Sequence, residues 1–220
     1  MAADLILIRH GHTLPVHGDY VHVPLTALGQ QQAEQTGHYL AQQTLGGFYA
    51  SPLRRARETA EIIGSQIGLK PEIKNGIQEV EGFEVPLLAI METLSIFDPI
   101  EDYLDAQVGK PMRWPIQGRV SKAMLDIMTA HPDQQAVVVA HAGVISSVLA
   151  WVFPEQRLKW WLTTVGNCSL TRLRVNGAHI ELLAVNVTQH LAPAQTTTQP
   201  PTPTVEATKA VMKTVKPTKV

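Results

Sequence analysis

The clearest pattern in the chain is a run of four aliphatic residues from Leu5 to Ile8, without polar alternation. Such a run is typical of a strand that is buried on both faces of a parallel sheet. Two other apolar runs, of three residues at 48–50 and of four at 137–140, are each followed by a segment with helical spacing. The alternation of strands and helices predicts a three-layer α/β/α sandwich around a mainly parallel central sheet.

Capping residues and apolar spacing give the boundaries of the predicted helices. Thr26 is expected to cap a helix over about 27–43, and Ser51 is expected to cap the next helix with Pro52 at its first position. The other predicted elements are a strand and turn within residues 71–85, helices over about 86–107, 115–131 and 144–152, and strands over 170–175 and 179–185 joined by a hairpin turn at Asn176-Gly177.

Composition fits one large domain with a substantial core, since 45% of the 220 residues are hydrophobic. The net charge of -1 gives no general attraction to nucleic acid or to an anionic membrane. Cys168 is the single cysteine, so it forms no intrachain disulfide, and we expect it to be a small buried residue. With no secretory signal pattern behind Met1, the expected location is the cytoplasm.

The composition changes at about residue 189 to Thr, Pro, Gln, Ala and Lys. A segment of this kind buries little apolar surface, which predicts a disordered tail. The expected organisation is therefore a folded domain over residues 1–188 and a Thr/Pro/Lys-rich tail over residues 189–220. Deletion of that tail is expected to leave activity intact.

The ends of the predicted strands carry the residues with chemical potential. Arg9, His10 and Gly11 follow the first strand, and His141 follows the strand at 137–140. Parallel sheets bind ligands at the carboxyl ends of their strands. Arginine offers a planar fork suited to phosphate, a neutral imidazole can attack phosphorus, and glycine permits a sharp turn. These residues indicate phosphoryl transfer through a phosphohistidine on His10.

A second group of cations begins the helix after residue 51, where Arg54, Arg55 and Arg57 occupy the first two turns. Helix amino termini favour anions because their N–H groups lack partners within the helix.

Three motifs in order resemble those of the histidine phosphatase superfamily, in the branch that contains the cofactor-dependent phosphoglycerate mutases. They are Arg9-His10-Gly11, the S-x-L-x-R-A-x-x-T-A pattern over residues 51–60, and the late H-x-G at His141. The resemblance covers about residues 5–187. It implies a phosphoglycerate mutase-like fold and a metal-independent phosphomonoester hydrolase that needs no cofactor, acts on a small molecule and can form a homodimer.

The resemblance also implies roles for individual residues. His10 would be the nucleophile, while Arg9, Arg55 and His141 would neutralise the oxygens of the phosphoryl group. The segment Ile77-Gln78-Glu79 is similar to the L-x-E setting of the family's proton donor, which selects Glu79, with Glu81 as a rival. The residues implied in substrate binding are Arg9, Gly11, Thr13, Arg55, His141 and Asn167.

Residues 80–114 correspond to an insertion that covers the substrate in this family. From Asn75 to Gly109 the chain has no Lys or Arg, although it has many acidic residues. A phosphoglycerate mutase must hold a second anionic group, and Val16 stands where many members place a polar asparagine. These departures favour release of phosphate to water.

Alternative interpretations stay open at this stage. They are a phosphoglycerate mutase-type phosphotransferase, a catalytically weak module that recognises a phosphorylated partner, and a protein-phosphohistidine phosphatase. His12, His17 and His22 could add polarity near the pocket. His10 and His12 could suggest a metal site, but neighbouring arginines would repel a cation, so no metal is expected.

Overall fold

The structure, a computed structural model, describes residues 3–14, 21–79, 113–156, 160, 163–176 and 179–197. The strands in this part of the chain are β1 (Ala3–Arg9), β2 (Gly47–Ala50), β3 (Glu72–Ile73), β4 (Ala136–Ala140), β5 (Leu170–Asn176) and β6 (His179–Val187). The helices there are α1 (Ala27–Leu40), α2 (Arg54–Ile67), α3 (Arg113–Ala130) and α4 (Ala142–Val152), and single 3-10 turns occupy Pro154–Gln156 and Pro193–Gln195.

The six strands form one sheet in the order β3-β2-β4-β1-β5-β6. The pairs β3–β2, β2–β4 and β4–β1 are parallel, whereas β5 runs antiparallel to β1 and β6 antiparallel to β5. The predicted α/β sandwich with a mainly parallel sheet is therefore confirmed. The two predicted carboxyl-terminal strands do pair with each other, while Gly177 of their predicted turn lies outside the described residues.

Alternate residues of β1 face two separate hydrophobic cores. Leu5 and Leu7 pack in a cluster with residues of α3 and α4, whereas Ile6 and Ile8 pack in a cluster with residues of α1 and α2. A strand that is covered on both faces needs aliphatic residues at every position, which explains the unbroken apolar run. Two aromatic residues after α4, Phe153 and Trp160, also lie in the core, with their ring centroids 5.9 Å apart.

The carboxyl ends of β1, β2 and β4 lie side by side at one edge of the sheet. Arg9 pairs with Ala140 in the parallel register, and the N–H of His10 donates to the Ala140 carbonyl at 3.0 Å. The N–H of Ser51 donates to the Val139 carbonyl at 2.9 Å. The sheet therefore places the residues that follow these three strands next to one another.

The start of α2 differs from the prediction. The helix begins at Arg54 with Leu53 in the cap position, two residues after the expected Pro52, and no side chain caps it. The Ser51 hydroxyl instead contacts Nε2 of His141 at 2.8 Å and accepts from the Leu53 N–H, before the helix, at 3.4 Å. Thr26 does cap α1 as predicted, since its hydroxyl accepts from the N–H of Gly29, although α1 ends at Leu40 rather than near residue 43.

Residues 189–197 pack against the domain, where composition predicted the start of a disordered tail. Leu191 is buried in the same core as α1 and α2. His190 lies between the hydroxyl of Thr36 and the carbonyl of Cys168, each 3.1 Å from its Nε2. One apolar anchor and these polar contacts hold a segment whose composition alone indicated disorder. Residues 198–220 lie outside the described residues.

Several other predictions fall on residues that the structure does not describe. These are the helix over 86–107, all but the last two residues of the insertion over 80–114, Glu81, Val16 and His17. Within the described ranges, no helix is long and apolar enough to cross a membrane.

Candidate active site

His10 follows the last residue of β1, and its ring is buried. Its Nδ1 lies 2.8 Å from the Gly11 carbonyl, and Nε of Arg55 donates to its Nε2 at 3.1 Å. A carbonyl cannot donate a hydrogen bond and a guanidinium cannot accept one. These two partners therefore assign the proton to Nδ1 and leave the lone pair on Nε2.

The surroundings of His10 favour its neutral form. Burial lowers the pKa of His10 well below its ordinary value of 6.5, and the positive charges of Arg9 and Arg55 lower it further. The hydrogen bond to Gly11 opposes this only in part. His10 therefore carries no charge at neutral pH.

His141 lies beside His10 at the end of β4, with 5.2 Å between the two ring centroids. Its Nε2 lies 2.8 Å from the hydroxyl of Ser51. Its Nδ1 is buried and has no hydrogen-bond partner among the described residues. Burial lowers the pKa of His141 well below 6.5, and the neighbouring His10 and Arg55 add to that effect.

Arg9 and Arg55 surround the histidines from two directions. Nη1 of Arg9 donates to the Val165 carbonyl at 2.6 Å, which anchors this side chain on the loop before β5. Arg55 is only 2% exposed, whereas Arg54 and Arg57 on the same helix are exposed. The structure thus brings Arg9, Arg55 and His141 together around His10.

Glu79 reaches the site from the segment after β3. Its side chain is 7% exposed, and its Oε2 accepts a hydrogen bond of 2.9 Å from the N–H of Gly143 in the first turn of α4. Arg119 of α3 holds the preceding residues, because it donates to the carbonyls of Gly76 and Gln78. Burial lowers the pKa of Arg119, and the nearby charge of Glu79 opposes that shift.

The sequence model of the histidine phosphatase superfamily, branch 1, matches residues 5–188 of the chain. The chain belongs to this superfamily. The matched region contains each residue of the site described above, so the prediction of a histidine phosphatase is confirmed at the level of the family.

Proteins of known name that resemble this histidine phosphatase include Pgam5 of Caenorhabditis briggsae, named a mitochondrial serine/threonine-protein phosphatase. It is 30% identical over 201 residues, a match that covers 86% of this chain and 65% of Pgam5. The chain therefore spans less than two thirds of that protein. The uncharacterized phosphatase PhoE of Bacillus subtilis is 24% identical over 194 residues, which cover 84% of this chain and 95% of PhoE.

Solved structures resemble the fold of this histidine phosphatase. The phosphoserine phosphatase of Entamoeba histolytica, a mutant bound to phosphoserine, matches with a TM-score of 0.69 at 23% identity and covers 86% of this chain and 100% of its own. YhfR of Bacillus stearothermophilus matches with a TM-score of 0.69 at 22% identity and the same coverage. At this level of identity the likeness shows the fold.

The loop after His10 in this histidine phosphatase rests directly on two helices. The N–H of Gly11 donates to the hydroxyl of Thr59 on α2 at 3.0 Å, and the N–H of His12 donates to Oε1 of Gln32 on α1 at 2.8 Å. A Cβ on Gly11 would lie 2.5 Å from the Gly29 carbonyl oxygen, and a Cβ on Gly29 would lie 2.3 Å from the His12 carbonyl oxygen. Glycine is therefore required at both positions.

Asn167 and Thr13, both implied in substrate binding by the resemblance, differ in their surroundings. Asn167 donates through Nδ2 to the His10 carbonyl at 2.9 Å, and its Oδ1 accepts from the Thr197 hydroxyl. Thr13 lies half-buried in the loop after Gly11. Cys168 is fully buried, which raises the pKa of its thiol to about 12 and leaves it unreactive.

Sequence reasoning missed several residues that support the site. Ser51 and Thr59 belong to the motif over residues 51–60, so the sequence marked their positions. It did not indicate their contacts with His141 and Gly11. Gly29, Gln32 and Arg119 have no local signature, because each acts on residues far away in the sequence. Among the described residues no group of three or more His, Cys, Asp and Glu side chains is placed to hold a metal ion.

Proposed function

We propose that the chain is a phosphomonoester hydrolase that forms a phosphohistidine on Nε2 of His10. The observation that carries this proposal is the state of His10, whose hydrogen bonds leave the lone pair on the nitrogen that faces Arg55. A neutral imidazole between cations is suited to attack phosphorus in a dianionic ester.

In the first step the Nε2 lone pair attacks phosphorus while the bond to the leaving oxygen breaks on the opposite side. Arg9, Arg55 and His141 neutralise the oxygens of the transferred PO₃ group. Two charged guanidinium groups and a buried ring nitrogen without a partner among the described residues support this assignment. Positioning and fixed charge supply most of the catalysis in phosphoryl transfer.

Glu79 acts as the proton donor and then as the base. In its protonated form it gives its proton to the departing alkoxide, and as a carboxylate it takes a proton from the water that attacks phosphorus. The bond from phosphorus to Nε2 then breaks, its electron pair returns to His10, and inorganic phosphate leaves. Two observations support this role: Glu79 is buried, and its carboxylate contacts the first turn of α4, the helix that follows His141.

The substrate class that we propose is a small phosphomonoester. Similar proteins include phosphoserine phosphatase 1 of Hydrogenobacter thermophilus, 25% identical over 201 residues, and the E. histolytica phosphoserine phosphatase, also solved with 3-phosphoglyceric acid. Phosphoserine and 3-phosphoglycerate are therefore the first compounds to test, within a wider panel of phosphorylated metabolites assayed for released phosphate.

A labelling experiment tests the proposed mechanism. The protein is mixed with a ³²P-labelled phosphomonoester, quenched in alkali and analysed for acid-labile, alkali-stable label on His10. We expect label and turnover in the wild type, and loss of both by more than 10³-fold in His10→Ala. The control His38→Ala, on an exposed position of α1, is expected to match the wild type. Turnover that persists in His10→Ala would remove His10 from the role.

The same assay separates the alternatives. A mutase would move the label to another hydroxyl of the substrate, whereas a hydrolase releases it as inorganic phosphate. A binding module would bind inorganic phosphate without turnover. Activity is expected to be equal with and without EDTA, and loss of activity with the chelator would contradict the metal-independent mechanism.

A further inference from the structure

Two buried amide side chains connect the loop that carries His10 with the residues that follow β6. We call residues 190–197 the C-terminal strap. They include the buried Leu191 and the 3-10 turn Pro193–Gln195. The strap lies beyond residue 188, where the match to the superfamily ends.

Asn167 is the first of these amides. Its Nδ2 donates to the carbonyl oxygen of His10 at 2.9 Å. On the strap side, the hydroxyl of Thr197 donates to Oδ1 of Asn167 at 2.9 Å and accepts from the Asn167 backbone N–H at 3.3 Å. The hydroxyl therefore holds both the side chain and the backbone of Asn167.

Gln32 of α1 is the second amide, and it is arranged in the same way. Its Oε1 accepts from the N–H of His12 at 2.8 Å, and its Nε2 donates to the carbonyl of Gln195 in the strap at 2.6 Å. The side chain is fully buried. The loop from His10 to His12 is thus fixed at both ends by amides that the strap holds from behind.

The Thr197 hydroxyl stabilises the orientation of Asn167 that serves His10. An amide presents an acceptor at one end and donors at the other. The His10 carbonyl only accepts, so Nδ2 of Asn167 must face it, and Oδ1 then faces the Thr197 hydroxyl, which donates to it. Without that hydroxyl the Asn167 oxygen loses its partner in a buried position, and the bond to His10 becomes weaker.

We propose that Thr197 is a positioning residue for phosphoryl transfer, acting through Asn167 on the backbone of His10. This inference rests on the proposed function of His10. It assigns the strap to the support of the nucleophile and leaves the binding of phosphate to Arg9, Arg55 and His141. Loss of the Thr197 hydroxyl should therefore slow the chemical step more than it weakens phosphate binding.

The test compares Thr197→Val with Thr196→Val in the full-length chain. Both changes replace a hydroxyl by a methyl group in the strap, but among the described residues the Thr196 hydroxyl contacts only the Ala192 carbonyl of the strap itself, at 3.5 Å. We expect Thr197→Val to lower kcat and the rate of phosphohistidine formation by about tenfold, because displacement of a nucleophile is costly. Its Kd for inorganic phosphate should change by less than about twofold.

Two further variants complete the test. Thr197→Ser keeps the hydroxyl, so its kcat is expected to lie within about twofold of the wild-type value. The kcat of the control Thr196→Val is expected to lie in the same range. If thermal unfolding shows that Thr197→Val has lost its native fold, the comparison is made on Thr197→Ala. A kcat that stays at the wild-type value in the folded variant, or a serine variant that does not recover it, would overturn the inference.

The outcome also distinguishes the two proposals. A wild type that forms no phosphohistidine rejects the proposed function itself. A wild type that does form it, with a Thr197→Val variant that forms it equally fast, rejects only the role of the strap.

Discussion

Each requirement that the proposed mechanism places on His10 is met by the same few neighbours. A nucleophilic imidazole must be neutral, while its substrate carries negative charge and needs cations nearby. Burial lowers the pKa of His10, and Arg9 and Arg55 act in the same direction. The cations that would attract a phosphate group therefore also keep the ring of His10 neutral.

The protonation state of His10 can be measured directly. We expect ¹⁵N NMR of labelled protein to show a neutral ring with the proton on Nδ1 at pH 7.5, and to show the same state at pH 6.0. Burial and the two arginines cause this resistance, since they keep the pKa of His10 well below 6.5. The urea-unfolded chain provides the control, and a His10 ring that protonates near pH 6.5 in the folded protein would contradict the expectation.

Ser51 is expected to act through His141. Its hydroxyl contacts Nε2 of His141 at 2.8 Å, and both groups are fully buried. Ser51→Ala leaves the ring without this partner, so we expect kcat/KM for a phosphomonoester to fall by about tenfold, equivalent to about 1.4 kcal/mol. Ser65→Ala, an exposed position on α2, is the control and should retain full activity. An unchanged kcat/KM in Ser51→Ala would show that His141 does not depend on it.

At the scale of elements, three adjacent parallel strands assemble the site, and this much follows from the sequence. The unbroken apolar runs predicted β1 and β4. The polar residues that directly follow these runs identified His10 and His141 as site residues. The start of α2 did not follow, because Ser51 has a capping residue's chemistry but contacts a histidine 90 positions away. Gly29 and Arg119 also act through tertiary contacts, with His12 and Gln78 respectively. The residues around them in the helices do not indicate these contacts.

The close contact between the loop from His10 to His12 and helix α1 gives a prediction about stability. Gly→Ala in a helix ordinarily stabilises by up to about 1 kcal/mol. Gly29→Ala is expected instead to lower the free energy of unfolding by about 1–3 kcal/mol, because the new methyl group would overlap the His12 carbonyl.

Gly118 of α3 provides the matched control for that change. A Cβ there would meet no described residue within 4 Å, so Gly118→Ala should stabilise the protein by a few tenths of a kcal/mol to about 1 kcal/mol. Both free energies are measured by urea unfolding followed by circular dichroism. If Gly29→Ala proves as stabilising as Gly118→Ala, the loop does not require the close approach.

At the scale of the whole molecule, composition predicted disorder from residue 189, whereas residues 189–197 pack against the domain. A Thr- and Pro-rich segment buries little surface on average, but Leu191 and the polar contacts of residues 190–197 bind it to the domain. The average composition of a segment does not reveal that one buried leucine and a few hydrogen bonds hold it in place. The fold and the residues around His10 were predicted because motifs and periodicity are local, whereas the strap depends on distant partners.

The buried histidines make stability depend on pH. Burial lowers the pKa of His10 and His141, and it lowers the pKa of His190 to about 4. Below pH 6.5 the unfolded chain takes up protons that the folded chain does not, so stability falls as the pH falls. We expect Tm to be lower at pH 5.0 than at pH 7.5.

Variants at two histidines test this pH dependence. His190→Gln removes one of the groups, so its Tm should fall less between pH 7.5 and pH 5.0 than the wild-type Tm does. The same change at the exposed His38 should leave the wild-type slope. A steeper fall in His190→Gln would be the wrong sign and would reject the explanation.

The position of β1 has a consequence for biosynthesis. This strand leaves the ribosome well before its two neighbours in the sheet, which begin only at Ala136 and Leu170. The aliphatic run from Leu5 to Ile8 stays unpaired until those strands are translated, and pairing over such distances is intrinsically slow. Newly made chains therefore expose this apolar segment, and the arrangement around His10 forms only after β4 and β5 have been made.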